Sequence, residues 1–331
     1  MVNEAAGTTA GQAAGMTAGQ AAEALPEALP AAIDAVLSRA PSLAGRPRAV
    51  QELSGGLTNR NYKVTTPDGS FVARIWAGGG GDLLAINRDH EYANSVIAAR
   101  AGVGAPVIEY RPADCLLVIG YINGRTYGDA DVADPANTPR IAAACRRLHA
   151  APRFGNDFDM FEIQPRYRSV VRSRGLRLPA GYDDFAPQFG AARAALAARA
   201  EGTVPCNNDL LAGNFIDDGE RLWLIDYEYS GNNDPCFELG NIAAESGLTR
   251  DGLAELVSAY YGRPRRSRIA RAELFGLVAR YGWTLWGAIQ SATSPLDFDF
   301  WSWAMEKYEA ASAAFTGPGF ARLLDDVQLG D

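Results

Sequence analysis

The chain has 331 residues, of which 47% are hydrophobic, enough for two domains or one two-lobed enzyme with a sizeable buried core. Its formal net charge of −8 argues against a broad basic surface and so against nucleic acid as a partner. Four scattered Cys without a CxxC pair favour a reducing cytoplasm, and two His are too few for a His-rich metal site. Both His90 and His149 lie in helical stretches, where a structural role is expected.

The first part of the chain has no regular hydrophobic pattern. Residues 1–28 are rich in Ala, Gly, Thr and Gln and contain TAGQAA twice, which is typical of a disordered low-complexity tail. This stretch lacks the basic and apolar parts of a secretory signal. No window approaches the roughly 18 to 20 consecutive apolar residues of a membrane span. A first helix is predicted from about Ala31 to Arg39.

Residues 50–76 change to a pattern of alternating apolar and polar positions. The runs NYKVTT and SFVARIW predict strands, and Pro67-Asp68-Gly69 between them predicts a tight turn. A polar loop with two glycines, SGGLTNRNY, precedes them. The stretch therefore predicts strand, glycine loop, strand, turn and strand. The glycines at 78–81 predict a flexible connector.

A helix and two further strands are predicted next. INRDHEYANSVIAARAG predicts a helix with Ile86, Ala93 and Ile97 on one side and Gly102 as its stop. VIEYRPADCLLVIGYI predicts two strands, which completes a five-stranded sheet with one inserted helix. After Gly124 the pattern is mostly helical, interrupted by a loop and two short strands over 204–229. The predicted helices span 135–151, 184–201, 250–261, 268–292 and 298–315.

These elements predict an α+β fold in two lobes. A small antiparallel sheet with one helix forms an N-lobe over 29–122. This lobe is expected to bind a nucleotide. A larger, mostly helical C-lobe covers 123–331.

Two short stretches of the C-lobe concentrate oxygen-bearing side chains. CNNDLLAGNF places Asp209 and Asn214 five positions apart, and Asp226 follows the apolar run of LIDYEYSG. Phosphoryl transfer from MgATP needs a carboxylate that orients the attacking hydroxyl, hard oxygen ligands for Mg²⁺, a cation and a glycine-rich loop. Arg74 would supply the cation, and Ser54-Gly55-Gly56 the loop.

Three blocks give the chain a specific resemblance. NNDLLAGNFI resembles the catalytic loop of the choline/ethanolamine kinase family, whose members are related to the aminoglycoside phosphotransferases. LIDYEYSGNNDPCFELGNIAAE resembles the block that carries the metal-binding Asp, and YGWTLWGAIQ resembles a late helix with two Trp. The resemblance covers about residues 48–315 and implies a protein-kinase-like two-lobed fold.

The resemblance implies roles for the residues of this sequence that match the motifs of the family. Asp209 would position or deprotonate the substrate hydroxyl, and Asn214 and Asp226 would hold Mg²⁺. Glu91 would pair with Arg74, whose guanidinium can grip phosphate oxygens bidentately. The residues implied to bind ATP are Ser54, Gly55, Gly56, Asn59, Arg74, Glu91, Ile119 and Tyr121, with backbone of 119–122 against the adenine.

Asn207 departs from the family pattern, which usually has His at this position. The family His is taken to brace the catalytic loop by hydrogen bonding, and Asn can also donate and accept. Activity is therefore expected to survive. A catalytically inactive nucleotide-binding protein remains the alternative from another functional class.

Aromatic side chains suggest the acceptor. Trp283 and Trp286 lie one helical turn apart on one face, and Phe300 and Trp303 repeat the spacing. In the family, aromatics at corresponding positions line a cage for a quaternary ammonium, which ring faces attract. The resemblance implies that Glu245 is the acidic residue near that ammonium. Tyr229 is a further candidate for a wall of the cage.

The sequence therefore predicts a cytoplasmic, Mg²⁺-dependent kinase for a small amino alcohol, choline ahead of ethanolamine. An aminoglycoside or natural-product phosphotransferase is the second hypothesis, for which Asp297 and Asp299 could serve a polycation. The oligomeric state stays open, with a homodimer as one option.

Overall fold

The computed structural model describes residues 31–77, 83–200 and 202–331. The predicted tail over 1–28 and the glycine connector over 78–81 lie outside the described residues.

An antiparallel sheet forms the first part of the described chain, as predicted. Its strand order is β1-β2-β3-β5-β4. In the β2–β3 hairpin, Thr66 pairs with Gly69, so Pro67 and Asp68 form the turn, and Gly69 takes a positive φ of 144°. The five strands are β1 (Ala49–Leu53), β2 (Arg60–Thr66), β3 (Gly69–Ile75), β4 (Val107–Arg111) and β5 (Leu116–Gly120).

Helix α1 (Ala31–Arg39) covers one face of this sheet. Its Ile33 and Leu37 join a small hydrophobic core with Tyr62 and Val64 of β2 and Leu116 of β5. The predicted helix at this position is confirmed.

Helix α2 (Arg88–Arg100) is present as predicted, but its predicted apolar side is wrong. Ala93 is exposed, whereas the buried residues of the helix are Glu91, Asn94, Ser95 and Ala98. Much of the inner face is polar because it meets polar and charged partners. Glu91 pairs with Arg74, and Asn94 donates to the Ser230 hydroxyl over 2.9 Å, whereas Ala98 joins the hydrophobic core.

The remainder of the described chain is mainly helical. The five predicted helices appear within a few residues of their predicted bounds. The helices are α3 (Asp129–Ala133), α4 (Thr138–His149), α5 (Met160–Ser173), α6 (Ala186–Ala198), α7 (Pro235–Glu245), α8 (Arg250–Tyr261), α9 (Arg266–Thr293), α10 (Phe300–Thr316) and α11 (Gly319–Asp326). Short strands interrupt them: β6 (Arg125–Thr126), β7 (Val204–Cys206), β8 (Phe215–Asp217), β9 (Leu222–Leu224) and β10 (Gly231–Asn233).

Four of these helices, α3, α5, α7 and α11, were not predicted. Helix α5 contains Pro165, and an interior proline normally argues against a helix because it removes a backbone donor. Helix α7 falls inside the second motif block, where its almost wholly buried sequence shows no amphipathic period.

Helix α9 is the central element of the helical part. Its 28 residues span about 42 Å, and α5, α7, α10 and α11 pack around it. In the part of the chain that the structure describes, no helix is both long and apolar enough to cross a membrane.

Helices α7 and α9 touch through two glycines. A Cβ added to Gly240 would lie 2.1 Å from the Ala272 carbonyl oxygen and 2.8 Å from the Gly276 nitrogen. These neighbours are backbone atoms of a buried helix, so they have no flexible end that could move aside. The absence of both side chains is what lets α7 lie so close to α9.

Gly240→Ala is expected to lower the free energy of unfolding by about 1–3 kcal/mol, because the added methyl group forces α7 and α9 apart. Chemical denaturation measures this. The matched control is Gly190→Ala in α6, where an added Cβ meets nothing within 4 Å and is expected to stabilise the helix by up to about 1 kcal/mol. Equal free energies of unfolding for Gly240→Ala and Gly190→Ala would contradict the close packing of α7 on α9 at Gly240.

Candidate active site

The loop after β7 is shaped by one buried carboxylate. Glu238 of α7 is fully buried and accepts the backbone N–H groups of Asn207 at 3.0 Å and Asn208 at 2.6 Å. Asn208 adopts the left-handed conformation with φ of 68°, and its side chain donates to the Tyr229 carbonyl oxygen over 3.1 Å. These bonds fix the backbone immediately before Asp209, which lines the first cleft described below.

Asn207 braces this loop from inside. Its Nδ2 donates to the carbonyl oxygens of Ile225 at 3.1 Å and Asp226 at 2.8 Å, and its Oδ1 accepts the Asp209 N–H at 3.1 Å. The side chain is fully buried. Asn207 therefore connects the loop to the segment around Asp226 and is not exposed to solvent.

Asp209, Asn214 and Asp226 are brought together. Asn214 Nδ2 donates to the Asp209 carbonyl oxygen over 2.7 Å, and the Asn214 carbonyl oxygen accepts the Ile225 N–H at 3.0 Å. All three side chains line the same cleft. Burial, followed by the negative charges of Asp226, Glu245 and Glu228, raises the pKa of Asp209 well above its usual range.

Arg74 of β3 joins the sheet to this loop region. Its Nη1 lies 2.7 Å from Glu91 Oε1 and 2.6 Å from Asp226 Oδ1, so the predicted Arg74–Glu91 pair is present. Burial alone would raise the pKa of Asp226, but the Arg74 guanidinium outweighs it and holds that pKa below its usual range. Asp226 is thereby fixed as a carboxylate.

The first of two neighbouring clefts lies between the glycine loop, the 206–226 segment and helices α7, α9 and α10, and its space of about 550 Å³ is open to solvent. Acidic and aromatic side chains share it. It is lined by Gly55, Gly56, Leu57, Thr58, Asp209, Leu211, Asn214, Asp226, Glu228, Tyr229, Glu245, Trp283, Trp286 and Trp303.

The second cleft, of about 330 Å³, lies between the sheet and α2. Asp226 lines both clefts and so marks where they meet. The second cleft is lined by Arg74, Glu91, Ser95, Ala105, Leu117, Ile119, Ile225, Asp226 and Tyr227.

The aromatic wall of the first cleft is held by its own polar atoms. Trp286 Nε1 donates to the Tyr229 hydroxyl over 2.7 Å, and Trp283 Nε1 donates to Asn241 Oδ1 over 3.1 Å. The Tyr229 and Trp283 ring centroids are 5.0 Å apart, and those of Trp286 and Trp303 are 5.2 Å apart. Because the indole N–H groups of Trp283 and Trp286 are hydrogen-bonded to other residues, these two side chains offer ring surface to the cleft.

Glu245, which lines the same cleft, is paired with a lysine. Lys307 Nζ of α10 lies 2.7 Å from Glu245 Oε1 and 2.5 Å from Oε2. The ammonium also lies 4.0 Å from the centroid of the Trp303 ring. The sequence predicted Glu245 at this place but gave Lys307 no role.

Several predicted residues do not line either of these two clefts in the described chain: Ser54, Asn59, Tyr121, Asn207 and Phe300. Phe300 is buried behind Trp286, with ring centroids 5.8 Å apart. The N–H of Tyr121 donates to the Ser70 carbonyl oxygen and that of Gly120 to the Pro106 carbonyl oxygen. Of the predicted adenine-contacting segment, Ile119 is the residue that reaches the second cleft.

Glu228 was missed by the sequence reasoning. It lines the first cleft and accepts from the Thr58 hydroxyl at 2.7 Å, Asn59 Nδ2 at 2.8 Å and Arg88 Nη1 at 3.1 Å. Burial and the charge of Asp226 raise the pKa of Glu228 to about 7. The strand rule that residues i and i+2 share a face did not apply to it, because β9 ends at Leu224 and Asp226 has a left-handed φ of 64°.

His149 has the structural surroundings predicted for it. The ring is buried, with Nδ1 2.7 Å from the Tyr260 hydroxyl and Nε2 3.4 Å from Glu238 Oε1. Cys206 Sγ lies 3.5 Å from Nε2, and burial raises the pKa of this thiol well above its usual value. The group lies behind the loop and supports Glu238.

Asn207→Ala is expected to lower the free energy of unfolding by about 1–3 kcal/mol, since two carbonyl oxygens and one N–H lose their partner. Asn207→Asp is expected to cost more, because a carboxylate oxygen would face the carbonyl oxygens of Ile225 and Asp226. Chemical denaturation of both variants checks this order. A smaller loss of free energy of unfolding for Asn207→Asp than for Asn207→Ala would show that the Asn207 amide does not stabilise the loop.

Comparison with protein-family models gives a match over most of the chain. The model described as "Phosphotransferase enzyme family" matches residues 49–274. The match begins with β1 and includes the glycine loop, Arg74 and the whole 206–226 segment.

Individual relatives agree with this match. The protein LicA of Haemophilus influenzae is 26% identical over 273 residues, which are 78% of this chain and 77% of LicA. A crystal structure of a choline/ethanolamine kinase family protein from Mesorhizobium loti shares 33% identity, covers 90% of this chain and 98% of that chain, and superposes with a TM-score of 0.78. The streptomycin-ATP-APH(2")-IIa ternary complex shares the fold at 13% identity and a TM-score of 0.58, over 88% of this chain and 99% of that chain.

Proposed function

Because the chain belongs to the phosphotransferase enzyme family, in its choline/ethanolamine kinase branch, we propose that it transfers the γ-phosphate of ATP to the hydroxyl of an amino alcohol, with choline preferred. One observation carries the proposal. The carboxylate of Asp209 and the ring surfaces of Trp283 and Trp286 line one cleft, so a molecule with a hydroxyl and an ammonium can engage both.

Asp209 would act on the acceptor hydroxyl. Its carboxylate would orient the hydroxyl and take its proton while the oxygen attacks the γ-phosphorus in line. A new phosphorus–oxygen bond to the acceptor forms as the bond to the β,γ-bridging oxygen breaks, and ADP leaves. The raised pKa of Asp209 suits a group that receives a proton in this step.

Asn214 and Asp226 would hold Mg²⁺. Two observations support this: the Asn214 amide nitrogen donates to the Asp209 carbonyl oxygen, so its amide oxygen would face the cation, and Arg74 holds Asp226 as a carboxylate. Both are the hard oxygen donors that Mg²⁺ prefers, and both line the cleft beside Glu228. When bound, the ion would neutralise charge on the transferring phosphate.

The nucleotide would enter from the second cleft. The apolar side chains of Ala105, Leu117 and Ile119 suit an adenine ring, and Arg74, oriented by Glu91, stands where the two clefts meet. The glycine loop would approach the phosphates. A Cβ on Gly56 would lie 2.4 Å from the Asn59 carbonyl oxygen, so this tight loop accepts no larger residue at that position.

The acceptor end of the cleft favours an ammonium compound over an aminoglycoside. Of the described residues, neither Asp297 nor Asp299 lines either cleft, and Asp299 caps α10 by accepting the Ser302 N–H at 2.9 Å. Three acids of the first cleft have partners of their own: Asp226 bonds Arg74, Glu228 bonds Arg88, and Glu245 bonds Lys307. A polycation would find few unpaired carboxylates there.

We place the reaction in the reducing cytoplasm. All four cysteines, which lie in the described ranges, are unpaired, and Cys145, Cys206 and Cys236 are buried. Burial raises the pKa of these three thiols, so they remain protonated and unreactive.

The central test is ADP release from MgATP with choline, ethanolamine, an aminoglycoside or no acceptor. Release should depend on choline or ethanolamine, and Asp209→Ala should lower kcat by at least about 100-fold, because the group proposed to take the proton is removed. Asp297→Ala, which removes an exposed acid outside the cleft, is the control and should match wild type. Nucleotide binding without ADP release for any alcohol would instead support the inactive-kinase alternative.

Trp286→Leu should raise the KM for choline by about tenfold or more with a smaller change in kcat, because a ring face that attracts the ammonium is lost. Steady-state kinetics measure the two constants. The matched control is Trp301→Leu, since Trp301 lies on the neighbouring helix with Arg177 3.7 Å from its ring centroid and does not line the cleft. Equal KM values for the two variants would contradict a cage at Trp286.

A further inference from the structure

Lys307 already occupies the kind of position that a substrate ammonium would seek. Its Nζ contacts both carboxylate oxygens of Glu245 and lies over the Trp303 ring, and the side chains of Lys307 and Glu245 are only 10% and 4% exposed. A carboxylate and an aromatic face are the two groups that recognise ammonium ions. The protein therefore carries a tethered ammonium of its own at the edge of the cleft.

The remaining surface differs in what it offers to different ammonium ions. A primary ammonium has three N–H donors that need acceptors, and the Lys307 ammonium already contacts both Glu245 oxygens and neutralises their charge. A quaternary ammonium has no N–H and needs ring surface alone. Tyr229, Trp283 and Trp286 provide that surface with their polar atoms bonded elsewhere.

We propose that Lys307 is a specificity-determining residue that makes the cleft select quaternary over primary ammonium ions by withholding Glu245. This deepens the proposed function, since the same cleft would hold the acceptor. The selection acts at the binding step, so it is measurable without phosphate transfer.

The binding test uses tetramethylammonium and methylammonium, two ions without a hydroxyl, titrated at about pH 8 with tryptophan fluorescence as the readout. Wild type should bind tetramethylammonium more tightly. Lys307→Met frees Glu245, so the affinity for methylammonium should rise by at least about tenfold more than that for tetramethylammonium. An unchanged ratio, or equal losses for both ions, would overturn the proposal.

Three further variants separate this effect from damage to the fold. Lys307→Arg keeps a cation on Glu245 and should keep the wild-type ratio. Lys307→Met combined with Glu245→Gln removes the freed carboxylate and should return the ratio towards wild type. Arg177→Met removes a comparable cation from the Trp301 ring outside the cleft and should leave the ratio unchanged. A shifted ratio in Arg177→Met would count against a role specific to Lys307.

Turnover then distinguishes the two proposals. In Lys307→Met the ratio of kcat/KM for choline to that for ethanolamine should fall at least about tenfold. If choline is phosphorylated but neither this ratio nor the binding ratio moves, the Lys307 proposal fails and the proposed function stands. If neither alcohol is phosphorylated and the binding ratio still shifts, the proposed function fails and the Lys307 proposal stands.

Discussion

The architecture of the site depends on one buried guanidinium. Arg74 reaches from the sheet to Glu91 on α2 and to Asp226 on the segment after β9, so a single side chain positions three parts of the chain. Removing one partner of a buried ion pair typically costs about 3–5 kcal/mol, because the other charge is left without compensation. The relative placement of the two clefts follows from this contact, since Asp226 lies on both.

The charges around Arg74 do not balance. Arg74 and Arg88 face three carboxylates, those of Glu91, Asp226 and Glu228, which leaves one negative charge in excess. The pKa of about 7 for Glu228, raised by burial and by Asp226, reflects the same excess. A bound cation would relieve it, which accords with the proposal that Asn214 and Asp226 hold Mg²⁺.

Local patterns were sufficient to predict the sheet and much of the site. The hairpin around Pro67 and Asp68 follows from strand periodicity and turn chemistry, and Asp209 and Asn214 come together because they lie five positions apart in one loop. The polar inner face of α2 was not predictable in this way. Its side chains are buried because of partners on other elements: Asn94 contacts Ser230, 136 positions away, and Glu91 pairs with Arg74 of β3.

Long-range pairing also explains the other omissions. Lys307 and Glu245 are 62 positions apart, and Thr58 and Glu228 are 170 apart, so no sequence window contains both members of either pair. Phe300 shares the spacing of Trp303, yet it faces the core behind Trp286. Helical spacing identifies a shared face and leaves open what that face contacts.

The position of α10 has a consequence for how such proteins diverge. Trp303 and Lys307 stand on a helix that packs mainly on α9, while Asp209, Asn214 and Asp226 belong to a separate loop region held by Glu238 and Arg74. In the proposed function, the α10 part of the acceptor site and the phosphate chemistry would therefore lie on different pieces of the chain. Substitutions along α10 would then change which alcohol is accepted while the transfer machinery keeps its geometry, and substrate range could drift over evolutionary time without an inactive intermediate.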